Sequence, residues 1–271
     1  MTQMTALPDE VRDATRRHLH AVDAALPGLI SGLYITGSVV LGDYRPGRSD
    51  IDFMAFTARP LTAADIDELA VVHAGFSGGG PCYDGNYVGW HELADLPDDG
   101  RAGPHVVDGE FRDAPCGELT PSTWTEFSRY AAAVRGPKAG ELGIEVSRDR
   151  LSQWQLGNLN GYWGEFGAGA RDTWSGRDQA ALMPYPQTAC WCVLGPPRLH
   201  YTLATGDITS KSGAGRYALE RFGEYADLIS AALDWRATGE GGFTHAAGVR
   251  ITDLMRAVID DANQRWGAAA S

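Results

Sequence analysis

Asp50 and Asp52 stand one residue apart in the run Ser49-Asp50-Ile51-Asp52-Phe53-Met54-Ala55-Phe56. Its alternation reads as a β-strand, so both carboxylates project from one face while Ile51 and Phe53 face a core. A close pair of carboxylates on a rigid strand suits one Mg2+. That ion takes one or two protein carboxylates and completes its octahedron with water and substrate phosphates. Upstream, residues 33–36 read as another strand that runs into Gly37-Ser38. Glycine lets the backbone approach a phosphate, and the serine hydroxyl with the following N–H groups can cradle its oxygens at a helix start. The bland alternative is a turn beside a solvated acidic pair. Asp-x-Asp alone would suit that reading, but Gly-Ser ahead of it and hydrophobic strands on both sides favour a magnesium nucleotide as the ligand.

The elements that must hold these residues can be read around them. Residues 8–26 form an amphipathic helix with Val11, Leu19, Val22 and Leu26 on its apolar face, ended by Pro27-Gly28. Residues 61–69 have capping and helical spacing, residues 77–81 are a glycine-rich loop, and residues 82–90 alternate like a strand. Beyond the Gly/Pro/Asp-rich residues 96–104 the pattern becomes helical, over 121–134, 148–165, 186–204, 210–222, 224–236 and 246–266. A boundary near residue 115 is expected, giving units of 1–115 and 116–271. No internal repeat stands out.

Gly37-Ser38 followed by Asp50-x-Asp52 resembles the polymerase-beta-type nucleotidyltransferase superfamily. The wording of the loop between them resembles aminoglycoside adenylyltransferases of the streptomycin/spectinomycin type. The stretch from Arg198 through Thr209-Ser210-Lys211 to Glu220 resembles the helical C-terminal domain of the same enzymes. The resemblance implies an α+β fold, a polymerase-beta-like nucleotidyltransferase domain followed by an α-helical bundle domain, with a cleft between them. It implies transfer of AMP from ATP, with Mg2+, to a hydroxyl of an aminoglycoside or aminocyclitol antibiotic, and hence resistance.

Carried over residue by residue, the resemblance makes Asp50 and Asp52 the metal ligands. It places Gly37, Ser38, Ser49, Arg198 and Lys211 on the nucleotide. Asp84 falls where the relatives carry a glutamate that serves as catalytic base. Aspartate is one methylene shorter, so base, water-mediated base and metal ligand stay open, as does an ordinary Asp-Gly turn. Ser210 can cap a helix whose Lys211 acts as a point charge on a triphosphate, or is merely solvated. Arg198 follows Pro196-Pro197 and has a structural alternative. Trp163, Glu165, Asp172, Trp174 and Asp178 mix aromatic faces and carboxylates as a cationic aminocyclitol would need, although tryptophans at helical spacing are more often core. The acidic positions that bind streptomycin in the family are replaced by Tyr185-Pro186-Gln187-Thr188.

Composition sets the outer bounds. With 271 residues and 44% hydrophobic content the chain can bury a sizeable core. A net charge of -12, from 23 Lys+Arg against 35 Asp+Glu, argues against nucleic acid as the main partner and favours a small cationic substrate beside ATP. The excess acid could equally serve solubility alone. Cys82, Cys116, Cys190 and Cys192 show no zinc spacing and are expected as reduced thiols. No apolar run of signal-peptide or membrane-spanning length is read, so a cytoplasmic protein without membrane partners is expected. Two other readings remain: a nucleotidyltransferase acting on another small molecule, a protein or tRNA, and a degenerate domain that binds nucleotide as a regulator.

Overall fold

The computed structural model describes residues 7–76, 80–98 and 100–267, and within them the chain divides into two compact units, Met1–Val146 and Ser147–Ser271. The expected loop at residues 77–79 lies outside the described residues. The first unit is mixed α and β. Helix α1 (Asp9–Ala25) leads into strand β1 (Ile30–Thr36), a short helical turn α2 (Gly37–Val40) and strand β2 (Ile51–Thr57). Helix α3 (Ala63–Ala74) then crosses over to β3 (Tyr83–Gly89), which lies parallel to β2. β4 (Arg101–Val107) and β5 (Glu110–Cys116) form a hairpin, followed by α4 (Pro121–Tyr130) and β6 (Ala132–Arg135). The sheet order is β5-β4-β3-β2-β1-β6, and every neighbouring pair except β2 and β3 is antiparallel.

The alternation read in β2 decides the two faces. Ile51, Phe53 and Ala55 pack with Val11, Val22 and Leu69 under α1 and α3. Met54 and Phe56 pack with Tyr34, Val88, Trp124 and Phe127 under α4. Asp52 belongs to this second set by parity, at the end of the α4 side where the apolar packing stops. Helix α3 starts with the expected capping box: Asp65 N–H donates to Thr62 Oγ1 at 3.3 Å and Thr62 N–H donates to Asp65 Oδ2 at 2.8 Å.

Two expectations need correction. The helix read over 121–134 ends at Tyr130, and Ala132–Arg135 pairs with β1, Tyr34 opposite Ala133. The alanine-rich segment has helical propensity, but β1 offers it an open edge, and Arg135 fastens it with bonds to Asp23 at 2.6 and 2.8 Å and to the Ile30 carbonyl at 2.8 Å. Consequently α4 and β6 belong to the sheet, and the division between units falls at Val146/Ser147 rather than near residue 115.

The second unit is helical: α5 (Arg148–Asn158), α6 (Gly164–Ser175), α7 (Pro186–Thr205), α8 (Lys211–Arg221), α9 (Ala226–Thr238) and α10 (His245–Trp266). The helix read over 148–165 is interrupted by a π-helical turn, Leu159–Trp163, before it continues as α6. Its core joins Leu156, Trp163, Trp174, Cys192, Leu203, Ile229, Leu254 and Met255. No described helix is long and apolar enough to cross a membrane.

Inside the first unit, Nε2 of His18 and Nε2 of His73 each lie 2.8 Å from the Tyr87 hydroxyl. That hydroxyl has one proton to donate, so it can bond both rings only while at least one of them is neutral and accepts it. Burial holds His18 down to about 3, helped by the nearby His73, and burial holds His73 down to about 4. Both folded values lie below the unfolded value near 6.5, so the unfolded chain takes up these protons first. Stability is intact above pH 6.5 and falls with pH by about 1.4 kcal/mol per unit for each histidine until its folded value is reached. Unfolding free energies from urea titrations at pH 7.5 and 5 are expected to differ by a few kcal/mol, and a flat profile would contradict the neutral pair.

Candidate active site

Three strand ends meet at one edge of the sheet. Asp52, the second residue of β2, sits opposite Thr36, the last residue of β1, and in parallel register with Asp84, the second residue of β3. In-register neighbours of a parallel pair share a face, so Asp84 lies beside Asp52. Asp50 adds its charge one step before the strand, exposed, while Asp52 and Asp84 are half-buried. The sequence signal and the sheet register thus gather Asp50, Asp52 and Asp84 around the start of Gly37-Ser38.

Gly37 turns the chain out of β1 with φ +66°. A Cβ there would collide with the Asp52 carboxylate, so the glycine is required both by its left-handed backbone and by the close approach of Asp52. Its N–H is not open: it donates to Glu126 Oε1 at 2.5 Å. Ser38 Oγ is buried and makes no hydrogen bond among the described residues. A buried hydroxyl without a partner costs stability unless a ligand supplies one. Ser49 is engaged in the loop itself, accepting the Arg45 N–H at 3.0 Å while its own N–H reaches the Arg45 carbonyl at 2.9 Å. It thereby fixes the approach to Asp50.

The Asp-Gly turn considered for Asp84 is not found, since Asp84-Gly85 lies inside β3 and a side chain on Gly85 would collide with Phe53. The turn is at the other end of two hydrogen bonds. Asp108 and Gly109, with φ +54° and +72°, close the β4–β5 hairpin, and their N–H groups donate to Asp84 Oδ2 and Oδ1 at 2.9 Å each. Burial raises the Asp84 carboxyl above the ordinary carboxylate range, partly offset by these two N–H groups and reinforced by the charge of Asp50. The hairpin escaped the sequence reading, although Asp108-Gly109 is itself a strong hairpin signal. Glu126 carried no local signal at all, lying 89 residues from the glycine it binds.

The donor set fits a magnesium ion. Among the described residues no three His, Cys, Asp or Glu side chains are placed to hold a metal together. Asp52 against Gly37, Asp50 just before the strand and the buried hydroxyl of Ser38, without a partner among the described residues, are a partial shell of hard oxygens, the kind that a magnesium-bound phosphate completes.

In the second unit, Arg198 follows Pro196 and Pro197 inside α7 and donates from Nε to the Thr209 carbonyl at 3.3 Å. Ser210 caps α8, accepting the Gly213 N–H at 3.0 Å, with exposed Lys211 as the first helical residue. Arg198 therefore steadies the segment that presents Lys211. The five expected substrate residues do not form one wall. Trp163 and Trp174 are core, 4% and 8% exposed, with Gly195 against the ring of Trp163 and Gly248 against that of Trp174. Glu165 and Asp172 point from the opposite, exposed side of α6, as helical periodicity requires. Asp178 caps a turn by accepting the Ala180 N–H at 3.1 Å.

Comparison with known proteins bears on the fold of both units. Residues 16–77 match the nucleotidyltransferase domain family, and residues 178–261 match the family described as the aminoglycoside adenylyltransferase C-terminal domain. The first unit therefore has the sheet of a nucleotidyltransferase. Among solved structures, that of the spectinomycin adenyltransferase AAD(9) from Enterococcus faecialis with ATP and spectinomycin is similar at a TM-score of 0.67 and 14% identity, covering 92% of this chain and 98% of that one. No curated protein sequence matches significantly. The likeness to aminoglycoside adenylyltransferases read from the sequence is borne out, in fold class as in recognition.

Proposed function

We propose that the chain is a magnesium-dependent adenylyltransferase that moves AMP from ATP to a hydroxyl of an aminocyclitol-type antibiotic. The observation that carries this reading is the register that sets Asp84 beside Asp52 at the exit of Gly37-Ser38. Ser38 Oγ and the N–H groups that follow it bind phosphate oxygens of the nucleotide. Asp50 and Asp52 would hold Mg2+, which supplies Lewis-acid neutralisation of phosphate charge when bound. Asp84 takes the proton of the acceptor hydroxyl as its oxygen attacks the α-phosphorus in line. The new oxygen–phosphorus bond forms as the bond to the bridging oxygen breaks, and pyrophosphate leaves with that electron pair.

The acceptor is assigned by chemistry. A net charge of -12 attracts cationic compounds, and the similar AAD(9) structure holds spectinomycin. The replacement of acidic positions by residues 185–188 disfavours streptomycin. Pyrophosphate release with Mg-ATP across spectinomycin, streptomycin and neutral sugars tests the assignment. Release with spectinomycin and little with streptomycin is expected, whereas silence across every cationic acceptor would defeat it.

A further inference from the structure

We propose that Glu126 is a positioning residue for the nucleotide site, acting as an acceptor from outside the motif that holds the Gly37-Ser38 turn in its binding shape. The inference rests on the nucleotide reading above and extends it to a residue 89 positions away. The turn lacks the support expected of it. Thr36 occupies the position before the helical turn, where a threonine usually caps with its side chain, yet it makes no side-chain cap bond. The first N–H is taken by Glu126 Oε1 at 2.5 Å instead, a short, charge-assisted bond. On its other side the same glycine is pressed by the Asp52 carboxylate, which leaves no room for a Cβ. Gly37 is thus fixed from two directions, and the shape it adopts delivers Ser38, whose buried hydroxyl has no partner among the described residues.

Glu126 is itself held by a rigid support. Helix α4 is capped by Thr120, whose Oγ1 accepts the Thr123 N–H at 3.2 Å, and Trp124 Nε1 donates to the Pro97 carbonyl at 2.8 Å. Thr125 and Phe127, on either side of Glu126, are buried. Glycine has many backbone shapes open to it and keeps one only where contacts fix it, and a site displaced by a fraction of an ångström binds its ligand less well. On this argument an acceptor at Glu126 Oε1 is what matters, and its negative charge is secondary.

The test uses the full chain with E126A, E126D and E126Q. E126A removes the acceptor, E126D keeps the charge but shortens the reach, and E126Q keeps a neutral acceptor at full length. In calorimetric titration with Mg-ATP, E126A and E126D are expected to bind about tenfold or more weakly, and E126Q to recover affinity to within about threefold of wild type. Amide hydrogen exchange of the ligand-free protein over residues 36–42 is expected to quicken in E126A and E126D and to return towards wild type in E126Q. E126Q as impaired as E126D would overturn the proposal, because charge would then be the active property. Tighter Mg-ATP binding in E126A or E126Q would overturn it too, by showing that Glu126 competes with the phosphates. Unchanged exchange in E126D would do so without reference to nucleotide. Wild-type protein that binds no Mg-ATP would refute the nucleotide reading itself, while the exchange result still judges the role of Glu126.

Discussion

Asp50→Asn and Asp52→Asn are each expected to abolish nucleotidyl transfer, by roughly three orders of magnitude or more, while leaving the fold intact. A carboxylate that holds a metal contributes several kcal/mol of charge stabilisation in the transition state, and each 1.4 kcal/mol is a factor of ten. Asparagine has nearly the same shape, so the contact between residue 52 and Gly37 survives. The charge does not, and its removal thins a crowd of carboxylates in which the charge of Asp50 already helps raise the Asp84 carboxyl. Thermal midpoints are therefore expected to stay level or rise as activity disappears, the pattern of residues kept for chemistry at a cost to stability. Pyrophosphate release and thermal unfolding measured on the same preparations check both halves. Near wild-type turnover at saturating Mg2+ would remove the metal assignment, and a falling midpoint would make Asp52 a structural residue.

What the sequence disclosed follows the range of each signal. The strand alternation read over Ser49 to Phe56 and the capping pattern of Thr62 and Asp65 are local, and the structure has a strand at Ile51–Thr57 and the capping box at Thr62. The two-domain resemblance rested on contiguous motifs, and the fold agrees with it. What could not be read depended on contacts far along the chain. Ala132–Arg135 became a strand because β1 lay beside it, against its own helical composition. Trp163 and Trp174, expected to line a substrate site, are buried in the helical core, and the carboxylates expected beside them, Glu165, Asp172 and Asp178, are exposed, a separation that the mixed composition concealed. Glu126 shows the limit most plainly, since nothing near it in sequence marks it as the partner of Gly37.

Asp84→Asn is the change with the next largest expected effect, and the hairpin makes its consequences more specific than those of a simple loss of charge. Both carboxylate oxygens now accept an N–H, one from Asp108 and one from Gly109. An asparagine can accept only one of the two bonds, and its NH2 group then faces the other N–H donor. The variant should therefore lose about a hundredfold or more in the chemical step, the usual scale for a missing proton acceptor, and about 1–3 kcal/mol of stability from the unsatisfied donor. Single-turnover kinetics with Mg-ATP affinity measured alongside separates the roles left open for this residue. A slow chemical step with Mg-ATP affinity preserved identifies the base, whereas weakened nucleotide binding identifies a metal ligand. A loss of stability with both kinetic quantities unchanged would leave Asp84 as no more than the clamp on the Asp108-Gly109 turn. Asp84→Glu completes the argument, because the longer side chain can reach a substrate hydroxyl only by shifting off the two hairpin N–H groups. If it retains activity at reduced stability, catalysis depends on the carboxylate and the hairpin grip is dispensable for the chemistry. If it loses activity with its charge intact, the grip of Asp108 and Gly109 is what aims the base.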